Sequence, residues 1–200
     1  EEDRLHARHA LRYSVRYAGI DTFRFALPTE VAEKVRVQGN GIKERSKAAD
    51  PDDATQTVHT VVLQSPALGT VDFWVEYDLP HEPLAIGGSR TLVAPVLRAV
   101  GVERDQGWYA VTRDPALSVE ATAEGLQYAD AREVPSFAGA ADAFLAWRRS
   151  RAQHKLTLAV TKYEPVPILQ AVVNALALDT LVADGSVALT EARMDVQVNG

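Results

Sequence analysis

An aromatic residue between two acids is the feature of this 200-residue sequence that most resembles a ligand-binding site. Trp74 lies between Asp72 and Glu76, in a segment whose alternate positions are apolar, so all three side chains point outward from a strand. An outward indole flanked by acids can stack on a sugar ring or anchor a protein partner. We predict that Trp108 and Tyr109 extend this surface. The competing interpretation is that a loop or a neighbouring domain covers Trp74, because indole rings are highly buried on average.

Residues that commonly bind metals occur here without a complete ligand set. His6 and His9 would share one side of a helix, but no third ligand lies nearby in the sequence. The acidic run at residues 50–53 lacks the glycine and the glutamate that an EF-hand loop needs at its sixth and twelfth positions. The chain has no cysteine, which excludes disulfides, thiolate zinc sites and a Cys nucleophile. We therefore predict no metal and no cofactor.

The remaining candidate motifs are short and unspecific. The glycines at residues 39–41 and 87–88 lack the strand and helix context of a dinucleotide-binding loop, so we interpret them as turns. The basic cluster at residues 148–155 fits a solvated connection better than an anion site, because runs of charge mostly face water. We predict no catalytic residue.

The composition narrows the classes of partner. A net charge of -6 and a pI near 5.4 provide no basic excess to release counterions from nucleic acid or to attract anionic lipid. No apolar run approaches the roughly 20 residues that span a bilayer. We expect no nucleic-acid partner and no membrane insertion of this segment. The expected partners are neighbouring domains of a parent protein and carbohydrate.

Apolar residues alternate with polar ones along most of the chain, which predicts strands. Hairpin turns are predicted at Ala18-Gly19, at residues 65–69 and at Asp105-Gln106-Gly107, with further strands at residues 117–121 and 156–160. The polar segment at residues 43–55 is predicted to be an exposed loop.

The clearest turn is Asp184-Gly185, a dipeptide that favours a two-residue hairpin turn. If Val182 lies opposite Val187, the odd-numbered residues that follow the turn, such as Leu189, lie on the same face as Val182. The apolar positions from Met194 onward are even-numbered, however. A shift of one residue reverses the faces of a strand, so we predict a β-bulge near residues 190–192.

Three segments also fit helices. A short helix is predicted after Pro28, capped by Thr29. A longer helix is predicted at residues 136–147, capped by Ser136, although Gly139 weakens it. Residues 168–182 match both periodicities, and their β-branched side chains favour a strand.

Closely spaced strands with turns between them predict an all-β, antiparallel β-sandwich with one or two short helices. The length allows one large or two small modules. The two-module prediction divides the chain into residues 1–112 and 113–200, and the alternative is a single β domain over residues 10–200. The chain lacks an initiating Met and stops directly after an alternating pattern, so we expect a segment of a longer protein.

Two stretches carry a resemblance: residues 13–44, in which residues 23–28 are followed by residues 35–42, and residues 155–164, which are followed by the Asp184-Gly185 turn. They resemble interior segments of very large, β-rich exported proteins of environmental bacteria, which have no assigned activity. The resemblance implies a domain fragment located in the periplasm or at the cell surface. It carries over no functional residues.

These observations predict a non-catalytic β-sandwich module of a larger envelope or surface protein, with a scaffold or protein-interaction role. The alternative is a carbohydrate-binding module that uses the exposed aromatic residues. A third hypothesis is a domain related to glycoside hydrolases. The scaffold role predicts exposed apolar surface at the ends of the segment, where neighbouring modules would dock.

Overall fold

The computed structural model describes residues 4–149, 153–164, 171–183 and 187–198. The chain divides into two compact units, Glu1–Tyr163 and Glu164–Gly200. The strands are β1 Arg4–Pro28, β2 Arg36–Gly39, β3 Ile42–Ala49, β4 Gln56–Pro80, β5 Ser89–Val93, β6 Arg98–Val100, β7 Gly107–Val111, β8 Leu117–Glu124, β9 Leu126–Ala129, β10 Leu145–Arg149, β11 Lys155–Lys162, β12 Ala171–Ala183 and β13 Val187–Val198. A short helix, α1 Thr29–Ala32, and 3₁₀ turns at Ala131–Glu133 and Ser136–Ala138 accompany them.

Two strands of 25 residues each, β1 and β4, dominate the first unit. They pair antiparallel from Arg4 opposite Pro80 to Pro28 opposite Gln56. β2 and β3 pair with the other edge of β4, and β6 pairs with β1, which gives a five-stranded sheet. The inward side chains of this sheet form a core with α1, which contributes the fully buried Val31.

The predicted hairpin turns at Ala18-Gly19 and at residues 65–69 are both wrong. Each segment is an irregularity within a continuous strand, and the two lie opposite each other, with Val15 facing Gly69. Gly69 has a φ of 88° and Tyr17 a φ of 71°, with the Tyr17 side chain 98% exposed. A β-bulge uses such left-handed backbone as readily as a turn does. Turn-forming residues therefore did not distinguish a reversal from a bulge.

The third predicted hairpin, across Asp105-Gln106-Gly107, is also wrong, because the two segments that it would join belong to different sheets. β6 pairs with β1, whereas β7 pairs with β10. Asp105 instead forms an ion pair with Arg149 of β10. This contact draws the connection toward β10 and away from a tight reversal onto β6.

The segment predicted to be an exposed loop at residues 43–55 is strand over most of its length. β3 pairs with β4 along the edge of the sheet, and residues 50–55 make the connection. The side chains of β3 are exposed on both faces, which explains its polar composition. Charged side chains on an edge strand also discourage further pairing. The predicted turn at residues 39–41 is confirmed between β2 and β3.

Two three-stranded sheets, β7-β10-β9 and β5-β11-β8, share a second core. The buried side chains are Trp147 of β10 with Leu156 and Leu158 of β11, and residues from the other four strands pack around them. The predicted strands at residues 117–121 and 156–160 are confirmed as parts of β8 and β11. The chain is therefore all-β, antiparallel and sandwich-like, as predicted.

The helix predictions hold in part. α1 forms as predicted, but its N-cap is Pro28, and Thr29 is the first helical residue with no capping hydrogen bond. The predicted helix at residues 136–147 is wrong. The 3₁₀ turn at Ser136–Ala138 ends at Gly139, whose φ of 66° breaks a helix. β10 follows and pairs with β7 and β9, so sheet pairing on both sides outweighs the helical spacing of the apolar residues.

Strand pairing crosses the predicted module boundary between residues 112 and 113. β5 pairs with β11, and β7 pairs with β10. The compact units divide between Tyr163 and Glu164 instead.

β12 and β13 form a two-stranded antiparallel hairpin in the second unit. The strand prediction for residues 168–182 is confirmed from Ala171 onward, and residues 168–170 and the Asp184-Gly185 turn lie outside the described residues. Val182 faces Ala188, not Val187, so even-numbered residues of both strands share a face as far as Met194. No bulge is therefore needed at residues 190–192, where we predicted one. The register shifts between Val173 and Ala175 instead.

Candidate interaction surfaces

The predicted ligand-binding residues of β4 lie together on the outward face of the five-stranded sheet. Asp72, Trp74 and Glu76 are partly buried and alternate with fully buried neighbours, as predicted. Trp74 lies between Ala10 of β1 and Gln38 of β2. We call this surface the Trp74 face; it consists of Arg8, Ala10, Arg12, Gln38, Asp72, Trp74 and Glu76.

Both acids beside Trp74 are paired with arginines of β1. Arg12 donates two hydrogen bonds to Asp72, of 2.7 and 2.6 Å, and Arg8 lies 3.2 Å from Glu76. The hydrogen bonds from Arg12 hold the pKa of Asp72 below its usual value. A sugar hydroxyl would have to compete with these charge-assisted bonds, so the carboxylates are poor free acceptors.

The 3₁₀ turn at Ser136–Ala138 lies against part of the Trp74 face. The guanidinium of Arg12 lies 4.0 Å from the ring centre of Phe137. Arg12 is therefore held by Asp72 and by a cation–π contact. This contact is with Arg12, so the competing prediction that a loop covers Trp74 itself stays a prediction.

Trp108 and Tyr109 belong to β7, in a different sheet from Trp74. Tyr109 packs against the second core, and its hydroxyl is hydrogen-bonded to His154 Nε2 at 2.8 Å. Burial raises the pKa of Tyr109 to about 12. Trp108 has the guanidinium of Arg148 over its ring at 5.8 Å. The five predicted site residues thus lie on two separate sheets.

A histidine–tyrosine pair that was not predicted from the sequence lies on the inward side of the large sheet, with His9 partly buried and Tyr77 fully buried. His9 Nε2 and the Tyr77 hydroxyl are hydrogen-bonded at 3.0 Å, and the two rings stack. Burial lowers the pKa of His9 to about 4, so His9 is neutral at pH 7. The odd numbering that His9 shares with Tyr13 was a signal for this inward position.

The two N-terminal histidines point to opposite sides of β1. His6 Nδ1 lies 2.8 Å from Asp78 on the outward side, whereas His9 points inward. The two histidines therefore do not share one side, as they would on a helix. β1 is a strand, in which residues three positions apart lie on opposite faces. Within the described part of the chain, no group of three potential metal ligands occurs.

The acidic run at residues 50–53 is not a fully solvated loop. Asp50 is buried and lies 2.7 Å from Arg98, and it also accepts a hydrogen bond from the Asp52 amide. Asp53 accepts hydrogen bonds from the amide and the hydroxyl of Thr55. These carboxylates stabilise the connection between β3 and β4.

The basic cluster at residues 148–155 is likewise partly structural. Arg148 and Arg149 belong to β10, not to a solvated connection. The Arg149 side chain is largely buried and forms an ion pair with Asp105. The cation is thereby neutralised by a carboxylate within the unit.

Two open grooves lie along the large sheet. One, of about 430 Å³, is lined by Arg4, Lys34 and Arg36 around Asp78. The Asp78 carboxylate is engaged by His6 and by Arg36, and the hydrogen bond from His6 lowers its pKa. The other groove, of about 660 Å³, follows the turn between β2 and β3. Neither groove encloses a reacting group away from water.

The hairpin of β12 and β13 carries an apolar face that is largely exposed. Cross-strand partners share a face, which places Val182, Thr180, Leu178 and Leu176 beside Ala188, Thr190, Ala192 and Met194, and Val173 beside Val196. Its six large members retain 45–73% of their surface: Val173, Leu176, Leu178, Val182, Met194 and Val196. We call these ten residues the hairpin apolar face. The register predicted from the sequence was wrong, because it placed Val187 and Leu189, rather than Ala188, on the face of Val182.

The opposite face of the hairpin mixes apolar residues with charged ones, and the charged ones are Asp179, Glu191, Arg193 and Asp195. Leu181 and Leu189 pair near the turn, and beyond them Asp179 lies opposite Glu191. Arg193 donates two hydrogen bonds to Glu191, of 3.0 and 3.2 Å. The hairpin is therefore amphipathic along most of its length.

None of the helices in the described part of the chain is long and apolar enough to cross a membrane. No protein-family model, no curated protein and no solved structure matches this chain.

Proposed function

We propose that the chain is a non-catalytic interaction module of a larger envelope or surface protein, and that it docks through the hairpin apolar face. The observation that carries the proposal is the exposure of this face. Six large apolar side chains lie next to one another on one side of a hairpin. Contiguous apolar surface of this kind marks interaction sites in soluble proteins.

The instability of a lone hairpin supports the same role. Two strands without a second layer are at best marginally stable in water. A covering partner would remove the apolar face from water and stabilise the hairpin at the same time. Docking is thus favoured both by the exposed apolar face of the second unit and by the marginal stability of its two-stranded hairpin.

The non-catalytic part of the proposal rests on how the titratable groups of the first unit are used. The acids beside Trp74 are paired with arginines, and Asp50 is paired with Arg98. His9 and Tyr77 are hydrogen-bonded to each other in the core. Catalytic acids and bases need a free contact with the substrate, and the partners of these groups compete for that contact. The envelope location rests on the resemblance of residues 13–44 and 155–164 alone.

A dye-binding experiment tests the role of the face. At high dilution, the chain should bind an apolar fluorescent dye. The double variant Leu178→Ser/Met194→Ser should lose most of the dye signal, whereas Leu181→Ser/Leu189→Ser on the opposite face should keep most of it. Absence of dye binding by the parent chain, or equal losses in both variants, would contradict docking through this face.

The second candidate function is carbohydrate binding at Trp74. The observation that favours it is the small side chain of Ala10 beside the indole, which leaves one flank of the ring uncovered by its neighbour on β1. Trp74→Ala should abolish retention on a polysaccharide array while lowering the melting temperature little. Unchanged retention, or a large loss of stability, would remove this candidate.

A further inference from the structure

We infer that the partner of the hairpin apolar face is the same face of a second copy of this chain. The inference rests on the proposed function, because it names the occupant of the proposed docking surface. It is carried by the shape of the face, by its area and by the position of its polar groups.

Near the turn, the face has a ridge along β12 and a trough along β13, whereas farther from the turn both strands carry large side chains, Leu176 beside Met194 and Val173 beside Val196. β12 contributes the large side chains Leu178 and Val182. Their cross-strand partners on β13 are the small residues Ala192 and Ala188. In the half of the hairpin near the turn, a row of large side chains therefore runs beside a row of small ones.

A twofold axis parallel to the strands brings ridge and trough together. Rotation about such an axis between two stacked hairpins places β12 of one copy over β13 of the other at the same level. Leu178 of each copy then lies over Ala192 of the other, and Val182 over Ala188. An isologous contact of this kind uses the same patch twice and closes on itself. An axis across the strands would instead set ridge against ridge.

The area suits a closed dimer. From their exposed fractions, the six large side chains present roughly 600 Å² of apolar surface, against about 800 Å² per partner in a standard specific interface. The small residues and the Thr pair enlarge this patch. A small ligand would cover only part of a strand pair that is about 40 Å long.

The polar groups are also placed for burial of this face. Thr180 and Thr190 lie in its middle, and their hydroxyls are hydrogen-bonded to each other at 3.0 Å. Burial then costs less than it would for unpaired hydroxyls. The acids Asp179 and Glu191 lie on the opposite face, so stacking two apolar faces leaves these like charges in water.

Sedimentation equilibrium tests the inference directly. The parent chain should be dimeric at tens of micromolar and dissociate on dilution. Leu178→Asp should weaken the dimer at least tenfold, because a buried carboxylate would replace a packed side chain. The matched control, Leu181→Asp, changes a leucine on the opposite face that is at least as exposed, since Leu181 is 68% exposed and Leu178 is 59% exposed. It should leave the dissociation constant within threefold of that of the parent chain.

Cross-linking tests the arrangement of the strands even if Leu178→Asp disturbs the hairpin. The chain has no cysteine, so an introduced one is the only thiol. Val182→Cys chains should join to one another through a short bismaleimide, because a twofold axis parallel to the strands sets both turns at the same end and leaves position 182 of the two copies roughly 11 Å apart. A mixture of Val182→Cys and Val173→Cys chains should give almost no mixed product, because these positions would lie roughly 30 Å apart along the strands. Mixed products in excess of those from Val182→Cys alone would overturn the twofold arrangement.

The outcomes separate this inference from the proposed function. A chain that stays monomeric at all concentrations, but binds dye at a face removed by Leu178→Ser/Met194→Ser, overturns the second copy and leaves the docking face standing. A monomer that binds no dye overturns both. Equal weakening by Leu178→Asp and Leu181→Asp overturns the inference, because association would not depend on this face.

Discussion

The β1–β4 ladder and the β12–β13 hairpin share an alternating sequence pattern, but their apolar faces differ in exposure to solvent. Both are long antiparallel pairs in which apolar residues alternate along the strands. In the ladder, the inward Phe73 is 1% exposed, whereas Leu178 in the hairpin is 59% exposed. The difference is the covering layer, because α1 and neighbouring side chains close the core over the large sheet.

This difference shows that alternation determines which side chains share one face of a strand pair, but not whether a second layer packs against that face. A strand pattern decides which side chains can be buried together. Whether they are buried depends on a second layer, which is supplied within the first unit and, in our proposal, by another molecule for the hairpin. The same substitution should therefore have different consequences in the two regions.

The largest expected effect is the loss of a core ring from the ladder. Phe73→Ala removes contacts with the rings of Tyr13 and Phe23 and should destabilise the first unit by about 3–5 kcal/mol. Leu178→Ala, a change in the second unit, should alter the stability of the first unit by less than about 0.5 kcal/mol. All three tryptophans, Trp74, Trp108 and Trp147, lie in the first unit, so denaturation followed by tryptophan fluorescence reports on it alone. Similar losses in both variants would contradict the separation of the two regions.

Acid should destabilise the first unit through His9. Its pKa is lowered from 6.5 to about 4 in the folded chain, so between these pH values the unfolded chain binds a proton that the folded chain does not. Stability should fall as the pH drops through this window, by at most about 3 kcal/mol. His9→Gln should flatten the slope of stability against pH between 6.5 and 4. The pKa of the buried His59 is also lowered by burial, so part of the slope should remain. A slope unchanged by His9→Gln would remove this account of the buried pair.

The smallest effects should come from the ion pairs of the Trp74 face. Arg12→Ala with Asp72→Asn should cost less than about 1 kcal/mol, because exposed pairs contribute little. Raising the salt concentration to about 1 M should weaken these pairs slightly by screening and should not weaken association through the hairpin apolar face. Chemical denaturation with urea and sedimentation at two salt concentrations measure both. Salt-induced dissociation of the dimer would mean that charges hold the hairpin interface.

Much of the fold could be predicted from the sequence, and the reason for each error is physical. Alternation correctly predicted most of β1, β4, β8 and β11 and the outward position of Trp74, but it did not predict β3 or β10. The turn signals at residues 18–19 and 65–69 misled, because positive φ serves a bulge as well as a reversal. The helical spacing at residues 136–147 misled because pairing of β10 with two neighbours is a non-local effect.

The candidate surfaces were less predictable. The outward positions of Asp72 and Glu76 were predicted correctly, but the arginines that neutralise these acids come from β1, and Arg12 lies 60 positions from Asp72 in the sequence. Trp108 and Tyr109 belong to another sheet, which only the pairing of β7 with β10 determines. In the hairpin, a register one residue different from the predicted one joined the apolar residues into one face.

Hydrogen exchange measured over a range of protein concentrations tests most directly the claim that the hairpin is covered by association. The amides of β1 and β4 should be protected equally at every concentration. The amides of β12 and β13 should exchange quickly in dilute solution and become protected as the concentration rises through the dimer dissociation constant. Strong protection of β12 and β13 in a dilute monomer would contradict the account, because the apolar face would then be covered without a partner.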